Sequence, residues 1–314
     1  MRLYFCSDIH ASRRCWKKFL NAWRFYGADH IIVGGDITGK FVVPIVAGPH
    51  GTWSAKFMGV QRRVRSRDGL AKLERWIADA GQYQFRTTPD EHAWYGEDQS
   101  RIDGLFRRLV VERVAEWVEE ADAKLAGAPV RVFVSGANDD FLEVDDVLAR
   151  STRIEDPNGR VIELDDGCEL LGMGWGNMTP WRCPRDIPED KLASRIDAVA
   201  ARVRDPARTI FSLHVPPLGS GLDGAPKLYD GLRPRLGLDG VEMAPAGSTA
   251  TREAILRYRP LLGLHGHIHE SRGVTELGGV PIANPGSEYG EGVLDGLIVD
   301  IDRAGVRNIE LVSG

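Results

Sequence analysis

The sequence predicts an α/β fold, and three patterns carry that prediction. The chain opens with an apolar run, an amphipathic helical stretch and a second apolar run, which together indicate a strand–helix–strand unit. Several later apolar runs stop at polar or acidic residues, as strands of α/β sheets do at their ligand-binding ends. The last apolar runs follow one another closely and predict an antiparallel finish.

The opening unit accounts for the first elements. Residues 2–7 form an apolar run, residues 12–26 carry apolar side chains at helical spacing, and residues 30–33 form a second short apolar run. A unit of this kind predicts parallel strands joined by a right-handed crossover. The polar residues that follow the two strands should therefore lie at one edge of the sheet.

The next segment is too long and irregular to be a single crossover. Residues 41–60 are rich in Gly and Pro and are predicted to form a loop, whereas residues 70–80 have the spacing of a short helix and residues 102–125 that of a long one. We interpret the long helix as the crossover and residues 41–100 as an inserted cap that selects the substrate. The whole chain, 1–314, is then a single domain.

The remaining elements are predicted from similar patterns. Strands are expected at 130–134, 209–213 and 260–264, a hairpin over 161–175, helices over 188–203 and 249–258, a Gly-rich loop from 219 to 240, and antiparallel strands at 279–282, 293–301 and 306–312.

Composition and charge argue against several classes of protein. With 43% hydrophobic and 27% charged residues the chain is typical of a globular protein, and no apolar run reaches membrane-spanning length. A net charge of -5 without a long basic run argues against a general nucleic-acid binder. The four cysteines lack zinc-ribbon spacing and the N-terminus lacks signal-peptide features, so a cytoplasmic protein is expected.

Five predicted strands end in side chains that can bind a metal ion. These are carboxylates, an amide and imidazoles: Asp8, His10, Asp36, Asn138, His214, His267 and His269. A capping or loop role explains any one of them, but five such strand ends in one chain indicate a metal site. The mixed donors suit Mn, Fe or Zn, and seven ligands are too many for one tetrahedral ion but suit two ions that share a carboxylate.

Five short motifs, in order along nearly the whole chain, resemble those of the calcineurin-like metallophosphoesterase superfamily. They are Asp8-x-His10, Gly35-Asp36, Asn138-Asp139-Asp140, His214 and Gly266-His267-x-His269. In finer detail the chain is similar to a group of uncharacterised bacterial and archaeal phosphoesterases with a GNDD-type variant motif. The resemblance implies a four-layer αββα sandwich of two mixed sheets, with the ligands on loops at one end.

The resemblance also implies roles for these side chains. The first ion would be bound by Asp8, His10 and His269, the second by Asn138, His214 and His267, and Asp36 would bridge the two. The expected cofactors are two divalent transition-metal ions; Mn is the preferred assignment, with Fe or Zn as alternatives. A metal-bridging hydroxide would then attack a phosphate ester in line, with Asn138 and Asp139 as catalytic residues beside the ions.

Asp139 and Ala137 depart from the family pattern. The family has histidine where Asp139 stands, and an ionised carboxylate beside cations is a poor general acid. Esters with acidic leaving groups should be preferred, unless the cap supplies a donor such as His50 or His92. Ala137 replaces the motif glycine, so an alternative register places Ala137 in the asparagine slot; the two carboxylates after Asn138 favour the first register.

Four residues are predicted to contact the substrate: Asp139, Lys227, Asn284 and Ser287. Lys227 lies in the Gly-rich loop, which is either a wall on the phosphate side or an ordinary surface loop. The run from Asn284 to Tyr289 either lines the pocket or forms a turn. His265 is interpreted as structural, because the family motif begins at Gly266.

These interpretations predict a dinuclear metal-dependent phosphohydrolase, a phosphodiesterase rather than a monoesterase, that acts on a small phosphate ester or nucleotide. The alternatives are a phosphomonoesterase or nucleotidase, a nuclease and, from another class, a non-catalytic scaffold with the metallophosphoesterase fold. The negative net charge of the chain argues against a nuclease. The complete ligand set argues against a scaffold, because buried carboxylates and imidazoles without ions are costly. Neither a membrane nor a nucleic acid is an expected partner.

Overall fold

The computed structural model describes residues 1–229, 231–237 and 240–314. The helices are α1 (Arg13–Tyr26), α2 (Arg67–Asp79), α3 (Pro89–Gly96), α4 (Gln99–Lys124), α5 (Glu143–Leu148), α6 (Glu189–Ala200) and α7 (Thr249–Tyr258). None of these described helices combines the length and the apolar character that crossing a membrane requires.

The strands are short and are spread along the whole chain. They are β1 (Arg2–Cys6), β2 (His30–Val33), β3 (Val42–Ala47), β4 (Trp53–Phe57), β5 (Val60–Val64), β6 (Tyr83–Thr87), β7 (Arg131–Val134), β8 (Ile154–Glu155), β9 (Val161–Glu163), β10 (Glu169–Met173), β11 (Gly176–Asn177), β12 (Asp186–Ile187), β13 (Thr209–Leu213), β14 (Gly224–Pro226), β15 (Leu228–Tyr229), β16 (Arg233–Pro234), β17 (Leu236–Gly237), β18 (Gly240–Val241), β19 (Met243–Pro245), β20 (Leu262–Leu264), β21 (Gly273–Leu277), β22 (Val280–Asn284), β23 (Asp295–Asp302) and β24 (Gly305–Ser313).

Two six-stranded mixed sheets form the frame of the molecule. The first has the order β24-β23-β1-β2-β7-β8, in which β1, β2, β7 and β8 are parallel and β23 and β24 pair antiparallel. The second has the order β21-β22-β20-β13-β10-β9, in which the four inner strands are parallel and the two edge strands antiparallel. The parallel opening and the antiparallel finish predicted from the sequence are both confirmed.

Successive residues of the central strands face opposite sides of their sheet. In β1, Leu3 and Phe5 belong to the apolar cluster between the two sheets, where they join Ile210 of the second sheet. Tyr4 and Cys6 instead belong to the cluster beneath the helices. Burial on both faces explains why these strands are apolar throughout, rather than alternating between apolar and polar residues.

Helices cover the outer face of each sheet. Side chains of α1, α4 and α5 pack on β1, β2 and β7, and side chains of α6 and α7 pack on β10 and β13. Trp16 of α1 stacks on Trp117 of α4 with ring centroids 4.6 Å apart, which joins the two helices of the first outer layer. The layers therefore follow the order α, β, β, α, and the α/β sandwich implied by the family resemblance is confirmed.

The segment predicted as an inserted cap contains a small sheet of its own. Its strands have the order β5-β4-β3-β6, and α2 packs on them through a separate apolar cluster that includes Ile45, Phe57 and Ile77. The prediction of a loop over residues 41–60 is therefore wrong. Buried residues alternate along β3 and β4, and several of the Gly and Pro residues that suggested a loop lie in the turn at 48–51 that joins these strands.

Part of the predicted Gly-rich loop is also structured. In the described residues between 224 and 245, β14 pairs with β19, β15 with β16 and β17 with β18, all antiparallel. These strands are two or three residues long, which is too short for strand periodicity to be recognised in the sequence.

Candidate metal centre

Loops that follow five strands bring the seven predicted ligands together. The loops follow β1, β2 and β7 of the first sheet and β13 and β20 of the second, and they carry Asp8, His10, Asp36, Asn138, His214, His267 and His269. Backbone hydrogen bonds join the loops, since Asp8 N donates to Gly35 O at 3.0 Å and Gly266 N donates to His214 O at 2.9 Å. The side chains are buried, except for those of His267 and His269, which are partly exposed.

Asp8, His10 and His269 form one group. Their candidate ligand atoms lie within 4.8 Å of one another, with His10 Nε2 3.1 Å from His269 Nε2 and His269 Nε2 3.4 Å from Asp8 Oδ1. His10 Nδ1 lies 3.0 Å from Thr38 O, which fixes Nδ1–H as the donor and leaves the Nε2 lone pair facing the group. Two ring nitrogens that face each other this closely require a proton or a cation between them.

Asp36, His214 and His267 form a second group, again with ligand atoms within 4.8 Å of one another. His214 Nδ1 lies 3.1 Å from Gly34 O. The other ring nitrogen, Nε2, lies 3.3 Å from Asp36 Oδ2 but does not have the geometry of a hydrogen bond to it. This Nε2 is buried and has no hydrogen-bond partner within the described part of the chain. A bound cation would satisfy an atom that is otherwise costly to bury.

Asp36 also belongs to a third set of neighbouring ligand atoms, with His10 and Asp139. Its Oδ1 accepts a hydrogen bond from Asp139 N at 3.0 Å, while its Oδ2 faces His214. Asp36 therefore has ligand atoms near residues of both groups.

The charges in this cluster are compensated by a histidine. Burial raises the pKa of Asp36 to about 7, although His214 opposes the shift. Burial disfavours the imidazolium form of His214, yet the nearby carboxylates of Asp36 and Asp8 raise its pKa to about 9. A protonated His214 is thus the counter-charge of the buried carboxylates, and a divalent cation would replace it more completely.

The backbone around the ligands adopts conformations that are uncommon for residues with side chains. Asp8, His10, Asp36 and His267 have positive φ angles of 56°, 37°, 50° and 65°. Gly266 is closely surrounded, since a Cβ there would lie 2.3 Å from Asp8 Oδ2. Such conformations are disfavoured and cluster at functional sites, where the surrounding structure holds them in place.

The donor set fits the two borderline divalent ions that the family resemblance implies. Imidazole, carboxylate and amide donors together suit Mn, Fe or Zn. The unpartnered Nε2 of His214 and the facing ring nitrogens of His10 and His269 are the features that most directly call for a cation.

Asp139 lies beside the cluster and is held at both carboxylate oxygens. Its Oδ2 is 2.8 Å from Lys40 Nζ, and its Oδ1 accepts a hydrogen bond from Cys183 Sγ at 2.8 Å. Burial alone would raise the pKa of this carboxyl, but the Lys40 ammonium and the Cys183 hydrogen bond help to hold it well below its ordinary value. Asp139 is therefore ionised at neutral pH, which makes it a poor proton donor.

Asn138 presents its amide oxygen to the cluster. Its Oδ1 lies 3.0 Å from His267 Nδ1, and its Nδ2 donates to Asp186 Oδ1 at 3.3 Å. Ala137 packs closely against Gly35. Asn138 therefore has its amide oxygen beside a predicted ligand, and the register of the motif stays a prediction.

The other residues predicted to contact the substrate lie in different surroundings. Asn284 is buried, and its side chain bonds to the backbone of Gly266, Ile268 and Gly286, so it positions the loop that carries His267. Ser287 Oγ donates to Asp8 O at 2.7 Å. Lys227 lies among the short antiparallel strands β14–β19, where its Nζ is 3.9 Å from a carboxylate oxygen of Glu242. Among the described residues it has no ion pair with the cluster.

The structure places three other histidines considered in the sequence analysis, His50, His92 and His265, outside both ligand groups. His50 is exposed in the turn between β3 and β4, and His92 is exposed on α3. Neither is hydrogen-bonded to the cluster in the described part of the chain. His265 is buried with Nδ1 2.7 Å from Leu213 O, as expected of a structural residue.

Two residues at the site were not predicted. Lys40 follows Asp36 by four residues and Cys183 lies in the loop between β11 and β12, and both contact Asp139. The ring of Tyr289, in a run for which the sequence left two roles open, lies 4.6 Å from that of His10 between centroids. A basic residue shortly after the Gly35-Asp36 motif was the available signal for Lys40, whereas no pattern pointed to Cys183.

The described chain is similar to several solved structures along nearly its whole length. One crystal structure has 14% sequence identity and a TM-score of 0.56, over 99% of this chain and 98% of the other. The protein TT1561 of Thermus thermophilus has 14% identity and a TM-score of 0.53, over 99% and 97%. At this identity the likeness shows the fold alone.

A third match is a novel archaeal phosphodiesterase, with 11% identity, a TM-score of 0.38 and complete coverage of both chains. A likeness of this degree does not bear on the activity of the present chain. No family model and no curated protein matches the sequence.

Proposed function

We propose that this protein is a dinuclear metal-dependent phosphohydrolase that cleaves phosphodiesters of small molecules or nucleotides. The observation that carries the proposal is the pair of ligand groups, one of Asp8, His10 and His269 and the other of Asp36, His214 and His267. Asp36 also has a ligand atom close to His10 of the first group. Asn138 completes the second group through its amide oxygen.

In this proposal Asp8, His10 and His269 hold one ion, Asn138, His214 and His267 hold the other, and Asp36 contacts both. When bound, two divalent ions supply Lewis acidity that neutralises phosphoryl charge and makes a water molecule nucleophilic near neutral pH. The protein orients two of its ligands, because Thr38 O and Gly34 O accept from Nδ1 of His10 and His214 and leave Nε2 of each ring as the atom that would face an ion.

A water nucleophile is consistent with the side chains around the cluster. Cys183 is the nearby thiol, but it donates its hydrogen to Asp139. Burial and the adjacent Asp139 charge raise the pKa of this thiol well above its ordinary value, so little thiolate is present. The site therefore supports direct hydrolysis rather than transfer through a protein-bound intermediate.

The charge at position 139, where the resembling family motif has histidine, favours a diester over a monoester as the substrate. Asp139 and Lys40 form an ion pair with no net charge, where a protonated histidine would add one positive charge. A diester carries one negative charge and a monoester close to two, so the monoester loses more of its attraction. An ionised Asp139 also cannot protonate a leaving oxygen, which again favours acidic leaving groups.

Steady-state kinetics with added Mn test the proposal. Wild-type protein should hydrolyse bis-p-nitrophenyl phosphate with a higher kcat/KM than p-nitrophenyl phosphate. Asp36→Asn should lower kcat/KM by more than about a hundredfold. Mutation of residues that only hydrogen-bond to metal ligands already lowers activity by about 10- to 100-fold, and Asp36 is itself a proposed ligand. Asp146→Asn, at an exposed residue of α5, is the matched control and should leave activity unchanged.

Two results would contradict the proposal in different ways. A strong preference for the monoester would overturn the interpretation of Asp139 and favour a nucleotidase or other phosphomonoesterase. Absence of hydrolysis of either ester, with the protein folded and Mn present, would favour the non-catalytic scaffold.

A further inference from the structure

Lys40 lies at the edge of the candidate metal centre with part of its surface open to solvent. Its Nζ is 2.8 Å from Asp139 Oδ2, and its side chain is 41% exposed, against 17% for Asp139. In the described part of the chain, Lys40 is the one lysine or arginine that pairs with Asp8, Asp36 or Asp139. The positive charge at this edge of the cluster therefore comes from a side chain that a solute can reach.

The ammonium group of Lys40 retains unused donors. A lysine has three N–H groups, and among the described residues Asp139 is the single ion-pair partner of Lys40. A second anion can therefore bind the same nitrogen without displacing Asp139.

The backbone of the two residues before Lys40 is held by hydrogen bonds. Thr38 N and Thr38 Oγ1 donate to Asp140 Oδ1 at 2.8 and 2.6 Å, and Gly39 N donates to Tyr83 Oη at 2.9 Å. A Cβ on Gly39 would lie 2.3 Å from Gly81 O, so the chain is closely packed here. Lys40 thus extends from a rigid support, and less entropy is lost when it binds an anion.

The Lys40 ammonium is coupled electrostatically to the side chains of the cluster. Burial opposes the charge on Lys40, but Asp139 and Asp36 together raise its pKa above the ordinary value. Burial lowers the pKa of His10, and the Lys40 charge lowers it further. A substrate that reached the ions would therefore also lie within the field of Lys40.

Stability does not explain why a lysine is held in this position. A partly exposed ion pair contributes little to folding. An ionised Asp139 without a cation beside it would repel a phosphate anion at the place where the related motif has histidine.

We propose that Lys40 is a substrate-binding residue that donates hydrogen bonds to a non-metal-bound oxygen of the phosphate, with Asp139 as the positioning residue that holds it. The ligand class is a phosphate ester or inorganic phosphate. The inference rests on the proposed function only in assuming that phosphate binds beside the metal centre.

Calorimetric titration of Mn-loaded full-length protein with inorganic phosphate, at low ionic strength, tests the inference. Lys40→Met should weaken phosphate binding by about ten- to a hundredfold, the loss expected for one hydrogen bond to a charged group. Lys40→Arg should retain most of the affinity because it keeps the charge and the donors. Lys72→Met, at an exposed residue of α2, is the matched control and should bind phosphate as the wild type does.

The double variant Lys40→Met/Asp139→Asn separates direct binding from simple neutralisation of Asp139. If Lys40 contacts phosphate, the double variant, which also lacks the repelling charge of Asp139, should bind phosphate more tightly than Lys40→Met but still more weakly than the wild type. Recovery of wild-type affinity in the double variant would overturn the inference, as would unchanged binding by Lys40→Met or no phosphate binding by the wild type. Lys40-dependent phosphate binding by a wild-type protein that hydrolyses neither ester would reject the proposed function and leave this inference standing.

Discussion

Asp139 has both carboxylate oxygens engaged, one by Lys40 and the other by Cys183. These contacts keep it ionised and restrict its rotation, so at this position the chain has a fixed anion bound to a lysine in place of a single imidazole. The related motif would have both a cation and a proton donor at one residue. Here the cation is Lys40, from the loop after β2, and the ionised Asp139 has no proton of its own to donate.

Asp139→His should therefore restore a proton donor for the leaving oxygen. We expect the kcat/KM for an alkyl phosphodiester, relative to that for bis-p-nitrophenyl phosphate, to rise by at least about tenfold. A well-placed general acid typically contributes about 10²- to 10⁴-fold, and a newly introduced histidine should reach the lower end of that range at most. Asp139→Asn removes the negative charge without supplying a donor and should show no such gain. The account fails at this residue if Asp139→His changes the rates for both leaving groups equally.

Asp140 joins the loops that follow β2 and β7. It is fully buried, and its carboxylate accepts hydrogen bonds from Ile37 N, Thr38 N, Thr38 Oγ1 and Ala137 N. One side chain therefore fixes the backbone on which Lys40, Asn138 and Asp139 are placed. Arg185 lies next to it and donates to Asp140 O from a buried guanidinium group.

Asp140→Ala should destabilise this pair of loops and the whole fold. Loss of the carboxylate leaves three buried backbone N–H groups without partners, and we expect the free energy of unfolding to fall by about 3–5 kcal/mol. Urea denaturation monitored by circular dichroism measures the change. Asp146→Ala, at an exposed residue nearby, should change it by less than about 0.5 kcal/mol, and an equally small effect of Asp140→Ala would contradict the role given to Asp140.

At the scale of elements, the sequence predicted helices and strands best where the pattern of apolar residues was long or was not interrupted. The amphipathic spacing of α1 and α4 and the apolar runs of β1, β2, β7 and β13 predicted these elements correctly. The strands at 41–60 were missed because β3 contains Pro44 and the turn beside it is rich in Gly and Pro. The parallel partner of β3 is β6, which lies beyond β4, β5 and α2 in the chain, and the apolar cluster under the sheet is completed by α2.

At the scale of the whole molecule, the candidate centre exists only when the two sheets are stacked. The first sheet supplies Asp8, His10, Asp36 and Asn138, and the second supplies His214, His267 and His269. Cross-sheet contacts such as Asp8 Oδ2 with His267 N at 2.9 Å fix the relative position of the two sets. Metal binding and folding should consequently be coupled.

The same architecture explains which parts of the site could be predicted. Ligands at strand ends were recognisable because each follows an apolar run and because their order resembles a known series of motifs. Lys40 and Cys183 were not predicted, because their contacts with Asp139 depend on the path of two loops that leave different sheets. Asn284 was recognised as lying near the site, but its bonds to the backbone of Gly266 and Ile268 appear only in the folded chain.

The most direct test of the dinuclear centre is the metal content of the purified full-length protein after equilibration with Mn and removal of free ion, measured by inductively coupled plasma mass spectrometry. The seven-ligand arrangement predicts two Mn ions per chain, and Asp36→Asn should retain fewer because it removes the shared carboxylate. A wild-type protein that is folded but retains no more than a trace of Mn, Fe or Zn would contradict the account.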